Sequence, residues 1–217
     1  IISEALQGNP KAQQAYGPDG VYPEGFGYWE YGTWYEVMLI ESLRTALGTS
    51  CNLEKAPGFL ESAKFMNFML TPTGAVYNFS DCGNPQNMVN PLLYWFAHET
   101  GDMSLVWQDR ARLLDEEHIR GINRQAPIAM LFAARCNTKD IKPITDKYWY
   151  GHGAQPLFLY RSGFNDKNAS YLGVKGGSPM NSHAHMDSGS FIYEWGGVRW
   201  AIDLGNQDYH SLESKGI

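Results

Sequence analysis

The chain has 217 residues, of which 43% are hydrophobic and 14% aromatic, and its formal net charge is −6. This length and apolar content allow a buried core in one or two domains. The negative charge argues against a general nucleic-acid-binding protein, because neutralising phosphates requires clustered Lys and Arg, and the sequence has no such cluster. No apolar run approaches the ~20 residues of a membrane span, so a membrane-spanning segment is not expected.

The first residues lack the basic and apolar regions of a signal peptide, and the chain stops soon after a predicted strand. The sequence is therefore interpreted as an internal fragment of a longer protein. Its three cysteines, Cys51, Cys82 and Cys136, do not have zinc-site spacing. Cys51 and Cys82 could pair in an oxidising compartment, but buried free thiols are favoured because Cys is often simply a small core residue.

Helical periodicity dominates the chain up to residue 138. Apolar residues recur at spacings of three and four, and Gly or Pro marks the ends of the segments. The predicted helices are 31–47, 58–70, 91–99, 103–117 and 126–136.

Strand patterns replace helical ones after the linker 139–146. Strands are predicted at 156–160, 169–174, 190–195 and 198–204, because Gly, Asn and Asp clusters separate these segments. A helical domain (1–138) followed by a strand domain (147–217) indicates an α+β protein without βαβ alternation.

The last two predicted strands form a hairpin around Gly196-Gly197, a dipeptide that supplies the positive φ angles of a two-residue turn. This turn pairs Glu194 with Arg199, so that opposite charges meet. The same register pairs Tyr193 with Trp200, Phe191 with Ile202, and Ser190 with Asp203. One face then carries the apolar residues, which predicts a sheet packed on one side: Phe191, Tyr193, Trp195, Val198, Trp200 and Ile202.

Two histidines and an acid alternate just before this hairpin. His183, His185 and Asp187 share a face if the segment is extended, and Asp203 follows on the returning strand. Imidazole and carboxylate groups together suit a divalent metal site or a proton-transfer site. The alternative is a polar turn with solvated histidines.

A Gly-rich loop at 18–27 leads into a helix on which Tyr28, Tyr31 and Tyr35 share a face. A Tyr at the edge of a cleft can exchange a proton if its neighbours lower its pKa. The alternative is a buried aromatic stripe that packs helices. Glu24 could simply cap the helix.

Three segments, 19–31, 93–102 and 175–205, together resemble the heparinase II/III-like polysaccharide lyases. The resemblance implies the end of an incomplete (α/α) toroid followed by the start of an antiparallel β-sandwich, both truncated. It also implies cleavage of uronate-containing acidic polysaccharides by β-elimination, and a periplasmic or secreted location. Heparan sulfate, alginate and other uronate polymers fit this expectation equally well.

The resemblance assigns the proton chemistry to Tyr28 and His183, with Tyr31 as the alternative if the alignment shifts by one helical turn. It implies that His185 and Asp203 are two ligands of a structural Zn²⁺. A third ligand is expected farther along the chain, since His210 reads as a loop residue. The family's Asn/His pair for the substrate carboxylate is expected upstream, because the chain has no Asn-His dipeptide.

Three further residues are candidates for substrate binding: Glu24, Asp81 and Tyr209. Asp81 ends the segment Asn78-Phe-Ser-Asp, which could line the cleft or form an Asx turn. A glycoside hydrolase would need paired acids, which Glu24, Glu30 or Asp81 could supply. A non-catalytic carbohydrate-binding protein of the same fold is the other alternative. The order of the Tyr and His segments favours the lyase.

Overall fold

The helical part of the molecule comes first in the chain. The computed structural model describes residues 2–85, 90–112 and 125–216. Within these ranges, six α-helices precede the sheet, and a short one, α7 (Tyr209–Glu213), follows it. The six are α1 (Ile2–Gln13), α2 (Gly25–Leu47), α3 (Ser62–Met69), α4 (Leu92–Thr100), α5 (Asp109–Arg112) and α6 (Ala126–Ala134). The 3-10 turns are Gln14–Tyr16, Leu53–Lys55, Met103–Val106 and Thr138–Asp140.

Four of the five predicted helices are present, with shifted ends. Helix α2 begins at Gly25, before the predicted start, and ends where expected, because Gly48 adopts φ 72° and donates its N–H to the Arg44 carbonyl. The prediction for 103–117 is wrong at its start. The Asp102 carboxylate accepts hydrogen bonds from the backbone and side chain of Ser104, which produces the 3-10 turn there. Residues 113–117 lie outside the described part of the chain.

A five-stranded antiparallel sheet follows, in the order β1-β2-β3-β4-β5. Its strands are β1 (Tyr148–Gly151), β2 (Leu157–Arg161), β3 (Tyr171–Lys175), β4 (Phe191–Trp195) and β5 (Val198–Ala201). All four predicted strands are confirmed, whereas β1 was missed. The α+β class is also confirmed, and the described residues supply one sheet layer.

The hairpin turn is confirmed, but its register holds for only part of its length. Gly196 and Gly197 have φ angles of 62° and 78°, and Glu194 lies opposite Arg199. A bulge between Tyr193 and Glu194 then shifts the ladder, so that Tyr193 lies opposite Ala201. A bulge places two residues of one strand against one of the other. The predicted pairing of Tyr193 with Trp200 is therefore wrong, and β5 ends before the pairs expected for Phe191 and Ser190.

The two faces of this hairpin are reversed relative to the expectation. Ile192 and Glu194 are fully buried against the helical part, whereas Phe191 is 52% exposed and Trp200 is 64% exposed. The whole predicted apolar face is exposed in this way. The polar face can be buried because Glu194 and Arg199 neutralise each other in an ion pair of 2.7 Å.

A polar network joins this ion pair to the loop that connects α3 to the rest of the helical part. Glu194 accepts hydrogen bonds from the backbone N–H (3.1 Å) and the hydroxyl (3.0 Å) of Thr73. Arg199 donates to the carbonyl of Val76 at 3.0 Å and to the Thr71 hydroxyl. Glu194 and Arg199, both in the sheet, are therefore hydrogen-bonded to the helical part. These bonds fix how the sheet lies on the helices.

One continuous core spans the helices and the sheet. It includes large aromatic side chains of the helical part, such as Trp29, Trp95 and Phe68, and also Leu159 and Ile192 of the sheet. The Tyr171 hydroxyl donates to the Phe68 carbonyl at 2.8 Å across this boundary. The buried segment 76–80 runs along the same boundary and ends at Asp81. Among the helices in the described ranges, none combines the length and apolar composition that crossing a bilayer requires.

Candidate functional site

The first turn of α2 and the loop before β4 meet at one point. The ring of Tyr28, on α2, stacks on the ring of His183, with 4.1 Å between the centroids and 20° between the planes. The two residues belong to the helical part and the strand part, respectively. The structure thus brings together the two residues that the sequence assigned to proton chemistry.

Asp81 joins both histidines through one carboxylate. Its Oδ2 lies 2.7 Å from Nδ1 of His183, and its Oδ1 lies 3.0 Å from Nε2 of His185. The Tyr209 hydroxyl, on α7, also donates to Oδ2. The Asp81 side chain is only 8% exposed. Three groups from the strand part therefore converge on a single acid of the helical part.

The Asp81 carboxylate keeps its charge in this position. Burial alone would raise its pKa, but the hydrogen bonds from Tyr209, His185 and His183 outweigh burial and lower the pKa below its usual value. An ionised carboxylate only accepts hydrogen bonds. Asp81 therefore selects the tautomer of His183 that carries hydrogen on Nδ1, which leaves the lone pair of the neutral ring on Nε2.

The environment of Tyr28 favours its neutral phenol. Burial raises its pKa, and the charges of Asp81 and Glu24 raise it further. Proton exchange by Tyr28 was expected to need neighbours that lower this pKa, whereas its neighbours raise it. A neutral phenol is a proton donor, so the structure suits Tyr28 to the acid role.

A cavity of about 660 Å³ opens beside Tyr28, within the ~300–1,000 Å³ range of small-ligand pockets. Residues of α2 form one wall, and the segment that follows Ser80 forms the other. The lining consists of Phe26, Gly27, Tyr28, Glu30, Tyr31, Asp81, Cys82, Gly83, Asn84 and Pro85. Burial raises the pKa of the Glu30 carboxyl in this cavity to about 7.

A buried ion pair supports the histidine loop. The Lys175 side chain is 1% exposed, and its ammonium group binds the Asp187 carboxylate. The backbone of Lys175 also bonds to Gly189 and Ser190, which fixes the end of the loop against β3. Asp187 thus pairs with Lys175, and His183 takes up a positive φ of 54°. The predicted extended segment with three convergent side chains is therefore wrong: His183 and His185 converge on Asp81 without Asp187.

The remaining candidates lie around this centre in different ways. Tyr31 lines the cavity but is 60% exposed, and its ring contacts Tyr35 at 5.2 Å. Since both of these rings are exposed, the buried-stripe alternative is wrong for them. Glu24 is the N-cap residue of α2, as predicted, but its side chain makes no capping hydrogen bond.

The two zinc-ligand candidates do not form a complete metal site in the described part of the chain. His185 fits one feature of a zinc ligand, because such a histidine donates its second ring N–H to a carboxylate, here Asp81. Asp203 accepts a hydrogen bond from the backbone of Gly205 at 2.8 Å. No group of three or more His, Cys, Asp or Glu side chains in the described ranges could hold a metal ion. The zinc therefore stays a prediction. His210 belongs to α7 and not to a loop.

The three cysteines are free thiols, as predicted, but the predicted burial is wrong for Cys51. Cys51 is exposed, whereas Cys82 is buried in the wall of the cavity. Burial raises the pKa of the Cys82 thiol to about 11. Cys82 is therefore a neutral, apolar part of the cavity wall at physiological pH.

Comparison with solved structures identifies where this arrangement of helices and sheet also occurs. A mutant heparan sulfate lyase from Pedobacter heparinus matches 98% of the chain with a TM-score of 0.50 and 20% sequence identity. Heparinase III matches 93% with a TM-score of 0.59 and 14% identity. The likeness is one of fold. The chain spans 30% of the length of each of these proteins. No protein-family model matches the sequence, and no curated protein is significantly similar to it.

Proposed function

We propose that the protein is a polysaccharide lyase that cleaves uronate-containing acidic glycans by β-elimination. The observation that carries the proposal is the stack of Tyr28 on His183 above the Asp81 carboxylate. It supports the proposal because a phenol, which can donate a proton, lies against an imidazole, which can accept one, and Tyr28 lines the cavity. The fold shared with a heparan sulfate lyase and heparinase III supports the same class of reaction. The proposal includes a periplasmic or secreted location.

His183 acts as the base in this mechanism. Asp81 accepts hydrogen from Nδ1, so Nε2 of the neutral ring can take the C5 proton of the uronate. Asp81 also stabilises the imidazolium that forms, as a buried carboxylate does in hydrolase triads. Asp81 is then a positioning residue, which differs from the direct substrate contact proposed from the sequence.

Tyr28 acts as the acid. The electron pair left at C5 forms the C4–C5 double bond, and the bond from C4 to the glycosidic oxygen breaks. The departing oxygen takes the phenolic proton of Tyr28, which its environment keeps on the ring at neutral pH. Transfer of the proton from His183 back to the Tyr28 oxygen restores both groups.

One observation favours a glycoside hydrolase as the second candidate. Glu30 and Asp81 line the same cavity, and their environments shift the two pKa values in opposite directions, as in acid/base pairs of glycosidases. However, both oxygens of Asp81 are already bound to histidines. Asp81 is therefore poorly placed as a nucleophile or a base toward water, and the lyase is the better interpretation.

The products of the reaction decide between these candidates. The full-length protein is incubated with uronate-containing oligosaccharides, and the ultraviolet absorbance of the C4–C5 double bond is followed. We expect the absorbance to rise as the chains shorten. Shortening without new absorbance would establish hydrolysis instead, and binding without cleavage would establish a carbohydrate-binding protein.

A further inference from the structure

Glu30 is a carboxyl group in the wall of the candidate cavity, and none of the described residues forms a hydrogen bond or ion pair with it. It lies on α2 between Tyr28 and Tyr31, and all three residues line the same space. Burial is the single cause that acts on its pKa, with no hydrogen bond or ion pair to any residue in the described ranges. A partly buried carboxyl that faces a ligand-sized cavity without a partner is available to a ligand.

The titratable groups that face Glu30 do not include a cation. Tyr28, Tyr31, Asp81 and Cys82 share its cavity, and the lining within the described ranges contains no Lys, Arg or His. Within the described residues, the cavity therefore has no positive charge to balance an ionised Glu30, and the neutral acid is the form that suits it.

An acidic glycan makes the protonation state of Glu30 decisive. A carboxylate at position 30 would repel a carboxylate or sulfate of the ligand, whereas a carboxylic acid can donate to it. Such O–H···O⁻ hydrogen bonds are short and roughly twice as strong as neutral ones. The charge of the ligand also favours the neutral form of the acid that faces it. Both effects select the protonated side chain.

We propose that Glu30 is a specificity-determining residue that, as a neutral carboxylic acid, donates a hydrogen bond to an acidic group of the glycan in this cavity. The inference rests on the proposed function for the class of ligand, but not for the elimination step. Glu30 supplies one donor for a substrate charge from within this chain. Binding of the glycan is therefore coupled to uptake of a proton when Glu30 is ionised beforehand.

The test measures binding and proton uptake in the full-length protein with the Tyr28→Phe change, which prevents turnover during the titration. The probe is a tetrasaccharide of alternating glucuronate and N-acetylglucosamine, and its carboxyl-reduced form is the neutral comparison. Calorimetry in buffers of different ionisation enthalpy gives the protons taken up. We expect uptake of about one proton per ligand at pH 8 and a Kd that rises about tenfold per pH unit above pH 7.

Two variants identify the group that takes up the proton. Glu30→Gln keeps a hydrogen-bond donor and cannot ionise, so we expect tight binding at pH 8 without proton uptake. The matched control is Glu36→Gln, because Glu36 is also a buried acid of α2 but bonds to Asn9 and Gln13, away from the cavity. This control should keep the proton uptake of the parent protein.

Three results of this test would overturn the inference. Equal uptake in the Glu30→Gln variant and its parent assigns the proton to another group, such as His183, and overturns the inference. Absence of uptake in both overturns it as well, as does equal uptake with the carboxyl-reduced probe. An N-sulfated tetrasaccharide distinguishes a sulfate from a carboxylate as the bound group. Failure of the proposed function is read separately, in the full-length protein without the Tyr28→Phe change, as cleavage without an ultraviolet chromophore or no binding of either probe.

Discussion

Tyr28 and His183 lie face to face, 4.1 Å apart at their centroids, although they are far apart in the chain and belong to different structural parts. The stack exists only while the sheet is held against the helices. The proton-transfer pair is therefore linked to the interface that Glu194, Arg199 and Tyr171 build between the two parts.

Removal of the Tyr28 hydroxyl tests the acid role. Tyr28→Phe keeps the ring that stacks on His183 and removes the proton. We expect product formation to fall by about 10²–10⁴-fold, with substrate binding and melting temperature nearly unchanged, as measured by ultraviolet absorbance and thermal unfolding. Tyr31→Phe is the matched control and should stay close to the wild type, because Tyr31 contacts Tyr35 instead of His183. The reverse pattern would assign the acid role to Tyr31.

Asp81→Asn tests whether one carboxylate orients both imidazoles. An amide can accept with its oxygen but donates with its nitrogen, so it cannot accept hydrogen from His183 and His185 together. We expect kcat to fall by about 10²–10⁴-fold, as for the buried acid of a hydrolase triad, while KM changes little.

The control for this change is a second pair of a carboxylate and an imidazole. Asp19 binds His152 at 2.8 Å, away from the candidate cavity. Asp19→Asn removes the same charge and should leave kcat of the folded protein unchanged. Equal losses in the two variants would show that Asp81 acts through stability alone.

Parts of the site could be predicted from the sequence because they depend on local rules. The glycines after α2 and within the β4–β5 turn set the ends of those elements. The segments that carry Tyr28 and His183 have distinctive residue patterns. Asp81 could not be placed in this way, since its bond to His183 spans 102 positions of sequence.

The hairpin shows the same limit on a smaller scale. Pairing either Trp200 or Ala201 with Tyr193 is compatible with the turn, so the bulge is not visible in the sequence. Hydrophobic patterning also misassigned the buried face of β4. An acid such as Glu194 can be fully buried only because Arg199 and Thr73 satisfy it, and those partners are tertiary contacts.

The buried ion pair at the interface predicts a large effect on stability. Glu194→Ala leaves the Arg199 guanidinium without its carboxylate. We expect the free energy of unfolding to fall by about 3–5 kcal/mol, as for other broken buried pairs, in urea titrations of the full-length protein. Replacing both Glu194 and Arg199 with Met should recover much of the loss. A single variant as stable as the wild type would contradict the structural role of the pair.

The zinc assignment can be tested by metal content. We expect about one zinc ion per chain in the full-length protein, held through the nitrogen of His185 that does not face Asp81. His185→Ala should lower that content, whereas His98→Ala, on the exposed side of α4, should not. Elemental analysis without stoichiometric zinc, or an unchanged content in His185→Ala, would refute the assignment.

The raised pKa of Glu30 predicts how stability depends on pH in the absence of any ligand. Burial raises the pKa of the Glu30 carboxyl to about 7 in the folded protein, whereas the ordinary pKa of a glutamate is 4.5. Between these values the folded state binds more protons than the unfolded state, so stability falls as pH rises through this window.

Glu30→Gln removes the cost of ionising a buried carboxyl. It should match the wild type at pH 4 and be more stable at pH 8, by up to about 3 kcal/mol. Urea titrations at the two pH values measure the difference. If the difference in unfolding free energy between Glu30→Gln and the wild type is the same at pH 4 and pH 8, Glu30 is solvated and ionised in the folded protein.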